Sequence, residues 1–126
     1  MHQLDLEERW SVYQTLVFMA WGDDRLAAKE VSAARAVAEE LDLAGNGRAG
    51  SALRGGPPLL GELALERLSR RAKYVAYGTA AWMAFADGHE HPAERAVLRM
   101  LRFRLDLEPR TAYLLEAAAL DRKSVV

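Results

Sequence analysis

The side chains best suited to chemistry in this sequence are carboxylates placed at two corresponding points along the chain. At each point an aspartate follows a hydrophobic run and a glutamate comes seven residues later, as in Asp87 with Glu94. Carboxylate oxygens are the hard ligands that calcium and magnesium prefer. We therefore predict a site for a divalent cation, calcium or magnesium, with these candidate ligands: Asp23, Asp24, Glu30, Asp87, Glu90 and Glu94.

A capped helix start explains the same spacing without a metal. A glutamate in the first turn can bond to the backbone N–H before the helix and interacts favourably with the helix dipole, together worth about 1 kcal/mol. A full capping box needs Ser, Thr, Asp or Asn three residues before that glutamate, but His91 and Ala27 occupy those positions. Both interpretations stay open, because the acid and glutamate are kept in both places although the capping partner is not.

Other kinds of reactive site are hard to build from this sequence. It contains no cysteine, which excludes a cysteine nucleophile and thiolate metal sites. None of its serines lies in a Gly-x-Ser-x-Gly turn, and its glycine-rich stretch lacks the lysine of a phosphate-binding loop. His89 and His91 have no evident third nitrogen or sulfur ligand for zinc. We predict that the protein is not an enzyme.

The two acidic stretches belong to an internal repeat. Residues 13–43 align without gaps with residues 77–107, and ten of the 31 positions are identical. Roughly three matches are expected by chance for such a composition. The identities begin at Tyr13 and Tyr77 and end with the tripeptide Leu-Asp-Leu in both copies. The alignment predicts two similar helix–loop–helix units packed on each other.

Apolar residues recur at the three- and four-residue steps of amphipathic helices in both copies. In the second copy one such stripe includes Val75, Thr79 and Trp82, and no segment has the pattern of a strand. Pro109 fits a first helical position. It opens a last helix whose apolar face is predicted to be Tyr113, Ala117 and Leu120. We predict an all-α fold, a compact helical bundle of about five to seven helices built from two helix–acidic loop–helix repeats.

The chain divides around a stretch rich in glycine and proline. Residues 44–58 hold five of the nine glycines and two of the four prolines, which predicts a loop. After this linker, Arg70 and Lys73 belong to a small basic cluster. We interpret it either as a solvated helix face or as a site for a phosphate or an acidic partner. The predicted organisation is a single domain, 1–126, with repeat 1 at about 5–43 and repeat 2 at about 59–122.

The repeated pattern resembles the TerB-like family of tellurite-resistance proteins, whose relatives include the helical N-terminal domain of a DjlA-type membrane co-chaperone. In that family an Ala-rich helix ends in Asp-Gly, an aliphatic residue comes two positions after the Gly, and a Pro and a Glu open the next helix. Asp87, Gly88, Pro92 and Glu94 keep this pattern, whereas Glu90 stands where an aliphatic residue is expected.

The first copy keeps Asp23, Leu26 and Glu30 but has Asp24 in place of the Gly and Ala28 in place of the Pro. The likeness extends over most of the chain apart from the linker. It implies a helical bundle with pseudo-twofold repeats, a role in bacterial stress or tellurite resistance, and divalent-cation binding by the acidic loops. It also implies a protein partner, such as a membrane protein of a resistance system.

Composition excludes some other partners. The chain has 126 residues and a net charge of −1, so it lacks the basic field that attracts nucleic acid. Its longest weakly polar run, residues 77–86, is far shorter than the roughly 20 residues of a membrane span. The N-terminus is acidic and no apolar signal region follows it. We predict a cytoplasmic protein without a transmembrane segment, and the sequence leaves its oligomeric state open.

The aromatic residues support an alternative function. It is a metal-independent helical scaffold that binds a protein partner through an aromatic surface, although core packing would also account for most of these rings. The residues concerned are Trp10, Phe18, Trp21, Trp82 and Phe85.

Overall fold

The chain folds into a bundle of helices, and no strand occurs in the part that the structure describes. The structure, a computed structural model, describes residues 4–21, 28–43, 47–56, 65–85 and 92–124. The predicted all-α bundle is confirmed, and the described residues form six α-helices, within the predicted range of five to seven. The α-helices in these ranges are α1 (Leu6–Ala20), α2 (Ala28–Glu40), α3 (Arg48–Arg54), α4 (Arg70–Ala84), α5 (Pro92–Arg104) and α6 (Pro109–Ser124), with a 3-10 turn at Leu65–Arg67.

The two repeats form helices with the same bounds. When residues 13–43 are aligned with residues 77–107, α1 corresponds residue for residue to α4, and α2 to α5. The N-caps correspond as well. Asp5 accepts a hydrogen bond from the Glu8 N–H (2.8 Å), and Ser69 accepts one from the Ala72 N–H (3.2 Å). Each cap satisfies a backbone donor that the first turn of a helix leaves unpaired.

The repeated tripeptide Leu-Asp-Leu terminates a helix in both copies. Asp42 and Asp106 have positive φ angles of 59° and 54°. The Leu43 N–H donates to the carbonyl of Ala38 (2.8 Å), and the corresponding bond in the second copy is 3.1 Å long. A left-handed residue followed by this backbone bond is the Schellman motif. Helix termination therefore explains three of the ten identities between the copies.

Helices α1 and α4 form the centre of the bundle and run in the same direction. They share the most extensive helix–helix contact among the described elements. The Ser69 N–H, at the N-cap of α4, donates to the Glu8 carboxylate in the first turn of α1 (2.9 Å), so both helices begin at the same end. This bond lowers the pKa of the Glu8 carboxyl. The two acidic stretches come after α1 and α4, and so the chain enters both of them from the opposite end of the bundle.

A buried tyrosine ties each aligned copy, residues 13–43 and residues 77–107, to the helix that follows that copy. The Tyr13 hydroxyl donates to the carbonyl of Ala49 in α3 (2.8 Å), and the Tyr77 hydroxyl donates to the Glu116 carboxylate in α6 (2.8 Å). Arg95 of α5 pairs with the same carboxylate at 2.6 Å. Burial raises the pKa of both phenols, and the Glu116 carboxylate raises that of Tyr77 further.

A helix lies where the sequence predicts a loop. The prediction for 44–58 is wrong at residues 48–54, which form α3. Ala49 and Leu53 are one turn apart and both are buried against the bundle. Tertiary burial of this apolar pair stabilises a helix that the glycines of the segment would not form alone.

The last helix begins at the predicted proline but buries a different face from the predicted one. Tyr113, Ala117 and Leu120 are exposed, whereas Ala112 and Ala119 are buried. Helix α6 packs against α4, whose buried residues are mainly alanines. The large apolar residues Tyr113, Leu114 and Leu120 stay exposed, whereas Leu115 is partly buried against the core.

Candidate functional site

The described part of the predicted cation site consists of two glutamates in equivalent positions. Glu30 is the third residue of α2, and Glu94 is the third residue of α5. Each glutamate therefore lies in the first helical turn after an acidic stretch. The chain enters both acidic stretches from the end of the bundle where α1 and α4 terminate. The remaining predicted ligands lie outside the described residues: Asp23, Asp24, Asp87 and Glu90.

Glu94 is unusual because it is a buried acid. Only 7% of its surface is exposed, and among the described residues it is the only charged side chain in the buried class. A carboxylate removed from water is costly unless it is paired or hydrogen-bonded, and Glu94 takes part in at least one polar interaction. Glu30, its counterpart, is half-buried.

The third helical position of both glutamates fits capping as well as cation binding. From there a glutamate can bond back to the N-cap N–H, or it can turn towards an ion held by the preceding loop. Within the described ranges no three or more acidic or histidine side chains form a metal-binding group. The cation site predicted at Asp23, Asp24, Glu30, Asp87, Glu90 and Glu94 therefore stays a prediction.

The aromatic residues named for the alternative function pack mainly against the core. Trp21 donates its indole N–H to the carbonyl of Leu53 (2.8 Å). The Trp10 ring lies 4.3 Å from the guanidinium of Arg48. These contacts join α1 to the α3 region, and Phe85 is buried. The contacts of these aromatic rings therefore mainly stabilise the packing of the bundle.

An apolar groove with a volume of about 250 Å³ lies between α2 and α6 and is open to solvent on one side. Both helices pack against α4, which forms the floor, but they hardly touch each other. Gly78 and Trp82 belong to the floor, Leu115 and Ala118 to the α6 wall, and Glu40 to the α2 wall. Trp82 is half-buried here and presents part of its ring to the groove.

Sequence reasoning missed this groove. It placed Val75, Thr79 and Trp82 on the apolar stripe of an amphipathic helix, and in the structure they are partly exposed because they line the groove floor. The signal that could have revealed it was Gly78, a glycine in the middle of a predicted helix and on the same face as Val75 and Trp82.

The cleft beside the basic cluster after the linker is lined by both basic and acidic side chains. Arg70 and Lys73 line a polar cleft of about 460 Å³, and Asp106 and Glu108 line the same cleft. Carboxylates among the basic groups disfavour a phosphate. We therefore favour the solvated-face interpretation for these two residues.

Comparisons with protein-family models, curated proteins and solved structures give no match to this chain. In the described ranges, none of the helices has the length and apolar character needed to cross a bilayer.

Proposed function

We propose that this protein is a small non-enzymatic interaction module of the TerB-like type, acting in bacterial stress or tellurite resistance, and that its acidic loops bind a divalent cation, calcium or magnesium. The observation that carries the proposal is the buried carboxylate of Glu94 at the start of α5. The parallel course of α1 and α4 supports it, since the chain enters both acidic stretches from one end of the bundle. A cation bound there would relieve the repulsion between the carboxylates.

The alternative function is a metal-independent helical scaffold that binds a protein partner. It is favoured by the third helical position of Glu30 and Glu94, because capping alone can account for an acid at that position. The two functions differ in their response to a cation, which makes them separable by experiment.

Thermal melting with and without a cation distinguishes the two functions. A cation at a hundredfold excess over its Kd stabilises the folded state by about 2.7 kcal/mol, which raises the melting temperature of a domain of this size by roughly 5–10 °C. We expect calcium or magnesium chloride at millimolar concentration to give such a rise relative to EDTA. The double variant Asp87→Asn with Glu94→Gln should lose it.

A matched control removes the same charge elsewhere. Glu39 and Asp121 are exposed, so Glu39→Gln with Asp121→Asn should keep the full response to the cation. No rise for the native protein at millimolar cation, or an equal loss in both double variants, would favour the metal-independent scaffold.

A further inference from the structure

We propose that the polar cleft between the start of α4 and the end of α5 binds a small zwitterionic molecule that carries a guanidinium group and a carboxylate. The cleft lies at the end of the bundle where α4 begins, and the chain enters both acidic stretches from the opposite end. It is therefore separate from the proposed cation site, and binding in the cleft does not depend on a cation.

Charges of both signs line this cleft without pairing. Arg70 and Lys73 belong to the first part of α4, and Asp106 and Glu108 belong to the segment between α5 and α6. In the described part of the chain, none of these four side chains takes part in an ion pair or a hydrogen bond. The mixture of charges that disfavours a phosphate suits a ligand with one anionic and one cationic group, because each group finds its complement.

The α4 side of the cleft suits the carboxylate of the ligand. Arg70 is the first residue of α4, where the helix dipole favours negative charge. Its side chain is exposed, and a guanidinium can bind a carboxylate through two parallel hydrogen bonds. Lys73 adds a positive charge about one turn later. Its charge also acts on Glu66, but that carboxylate has its own ion pair with Arg104 at 2.6 Å.

The opposite side of the cleft, where α5 ends, suits the guanidinium of the ligand. The C-terminus of a helix favours positive charge, and the exposed carboxylates of Asp106 and Glu108 come directly after α5. Tyr74 lines the cleft together with these acids. A guanidinium can stack on an aromatic ring while it donates hydrogen bonds to a carboxylate, which an ammonium group does less well.

The first copy holds a guanidinium at the residue that corresponds to Tyr74. Since α1 corresponds residue for residue to α4, Tyr74 corresponds to Trp10, and the Arg48 guanidinium lies 4.3 Å from the centre of the Trp10 ring. A second guanidinium, that of Arg9, donates to the carbonyl of Leu41 just after α2 (3.0 Å). Among the described residues of the second copy no arginine stacks on Tyr74. A ligand can therefore supply there the group that the chain itself supplies in the first copy.

The cleft has room for such a ligand. Its volume of about 460 Å³ lies within the range of roughly 300–1,000 Å³ that is usual for small-molecule sites. The lining includes Leu105, which is buried, and Leu107, which is half-buried. A short hydrocarbon chain between the two charged groups would contact this apolar surface. γ-Guanidinobutyrate has these features and serves as the probe.

Amide NMR spectra of the full chain, recorded during a titration with γ-guanidinobutyrate in EDTA, test the inference. We expect saturable shifts in the first turn of α4 and at residues 105–111. A Kd of about 1 mM or lower is expected for a ligand with roughly ten non-hydrogen atoms. Butyrate lacks the guanidinium and butylguanidine lacks the carboxylate, so each should bind at least about tenfold more weakly.

Substitutions at the two ends of the cleft identify which group binds where. Glu108→Gln should raise the Kd of γ-guanidinobutyrate at least about fivefold and leave that of butyrate within about twofold, whereas Arg70→Gln should weaken both ligands. The matched controls are Glu39→Gln and Arg35→Gln, which remove the same charges from exposed positions on α2. They should leave each Kd unchanged, and circular dichroism verifies that all four variants fold.

Three results would overturn the assignment. Shifts that do not saturate, or that arise away from the cleft, would show that the cleft does not bind this class of molecule. Equal affinity for butyrate or butylguanidine would show that a single charge is recognised rather than a zwitterion. Equal losses in the matched controls would show a long-range effect of net charge instead of contact. The response of the melting temperature to calcium or magnesium is a separate readout, so failure of the cation site does not imitate any of these.

Discussion

The hydrogen bonds of Tyr13 and Tyr77 connect distant parts of the chain through single side chains. The sequence marks both residues, since they begin the repeat, but it does not reveal their partners. Ala49 and Glu116 lie 36 and 39 residues further along. Whether they come within reach depends on how α3 and α6 pack, which periodicity within one helix does not determine.

The buried phenol of Tyr77 should make the fold sensitive to alkaline pH. A raised pKa in the folded protein means that the neutral phenol stabilises the fold fully at a pH below its ordinary value of 10.0. That stability is lost as the pH rises above 10 towards the folded-state pKa. We expect the urea midpoint to fall above about pH 10, and to fall less steeply in Tyr77→Phe, which cannot ionise.

At neutral pH the same variant should lose about 1–3 kcal/mol, because the hydrogen bond to the Glu116 carboxylate is removed. Urea unfolding at pH 7 and at a series of values up to pH 11 measures both effects. Tyr113→Phe is the control, since this phenol is exposed. An equal alkaline slope in Tyr77→Phe and the native protein would show that Tyr77 does not carry the effect.

The helix C-caps show how much the sequence determines locally. The alignment identified the tripeptide Leu-Asp-Leu in both copies. Its local backbone geometry terminates the helix in each copy, and α2 and α5 therefore end at equivalent residues. The packed face of α6 could not be found in the same way. Tyr113, Ala117 and Leu120 have the right spacing, but Ala112 and Ala119 are the residues that become buried when α6 packs in the bundle.

Glycine at the C-cap should stabilise the protein. Asp42 and Asp106 hold a left-handed backbone conformation that glycine adopts without steric cost. We expect Asp42→Gly to raise the free energy of unfolding by about 0.5–1 kcal/mol, measured by urea denaturation. The same substitution at Asp121, inside α6, should lower it, because glycine disfavours a helix interior. A loss of stability in both variants would contradict the C-cap assignment.

At the scale of the whole molecule, duplication explains the scaffold but not the groove. The aligned copies share their helix bounds, yet residues 13–43 are followed by α3, with 7 residues, and residues 77–107 by α6, with 16. The groove combines α2 from the first copy with α4 and α6 from the second half of the chain. Gly78 has no counterpart in the first copy, where Gln14 stands. A site formed between copies is not visible in the pattern of either copy alone.

The proposed cation site also depends on how the two copies are arranged in the whole molecule. The repeat in the sequence suggested the candidate carboxylates, and the bond between Glu8 and Ser69 shows that α1 and α4 begin at the same end of the bundle, so both acidic stretches are entered from the other end. A single ion shared by both loops would couple the first turns of α2 and α5. Two independently capped helices would not be coupled in this way.

Amide NMR spectra recorded during a calcium or magnesium titration test this coupling most directly. If the loops share a cation, the amides of the first turns at Glu30 and Glu94 shift together with one Kd, and the amides of α3 stay in place. If neither first turn shifts at millimolar cation, or if they titrate with unrelated affinities, a shared cation site is contradicted and each glutamate is a helix cap.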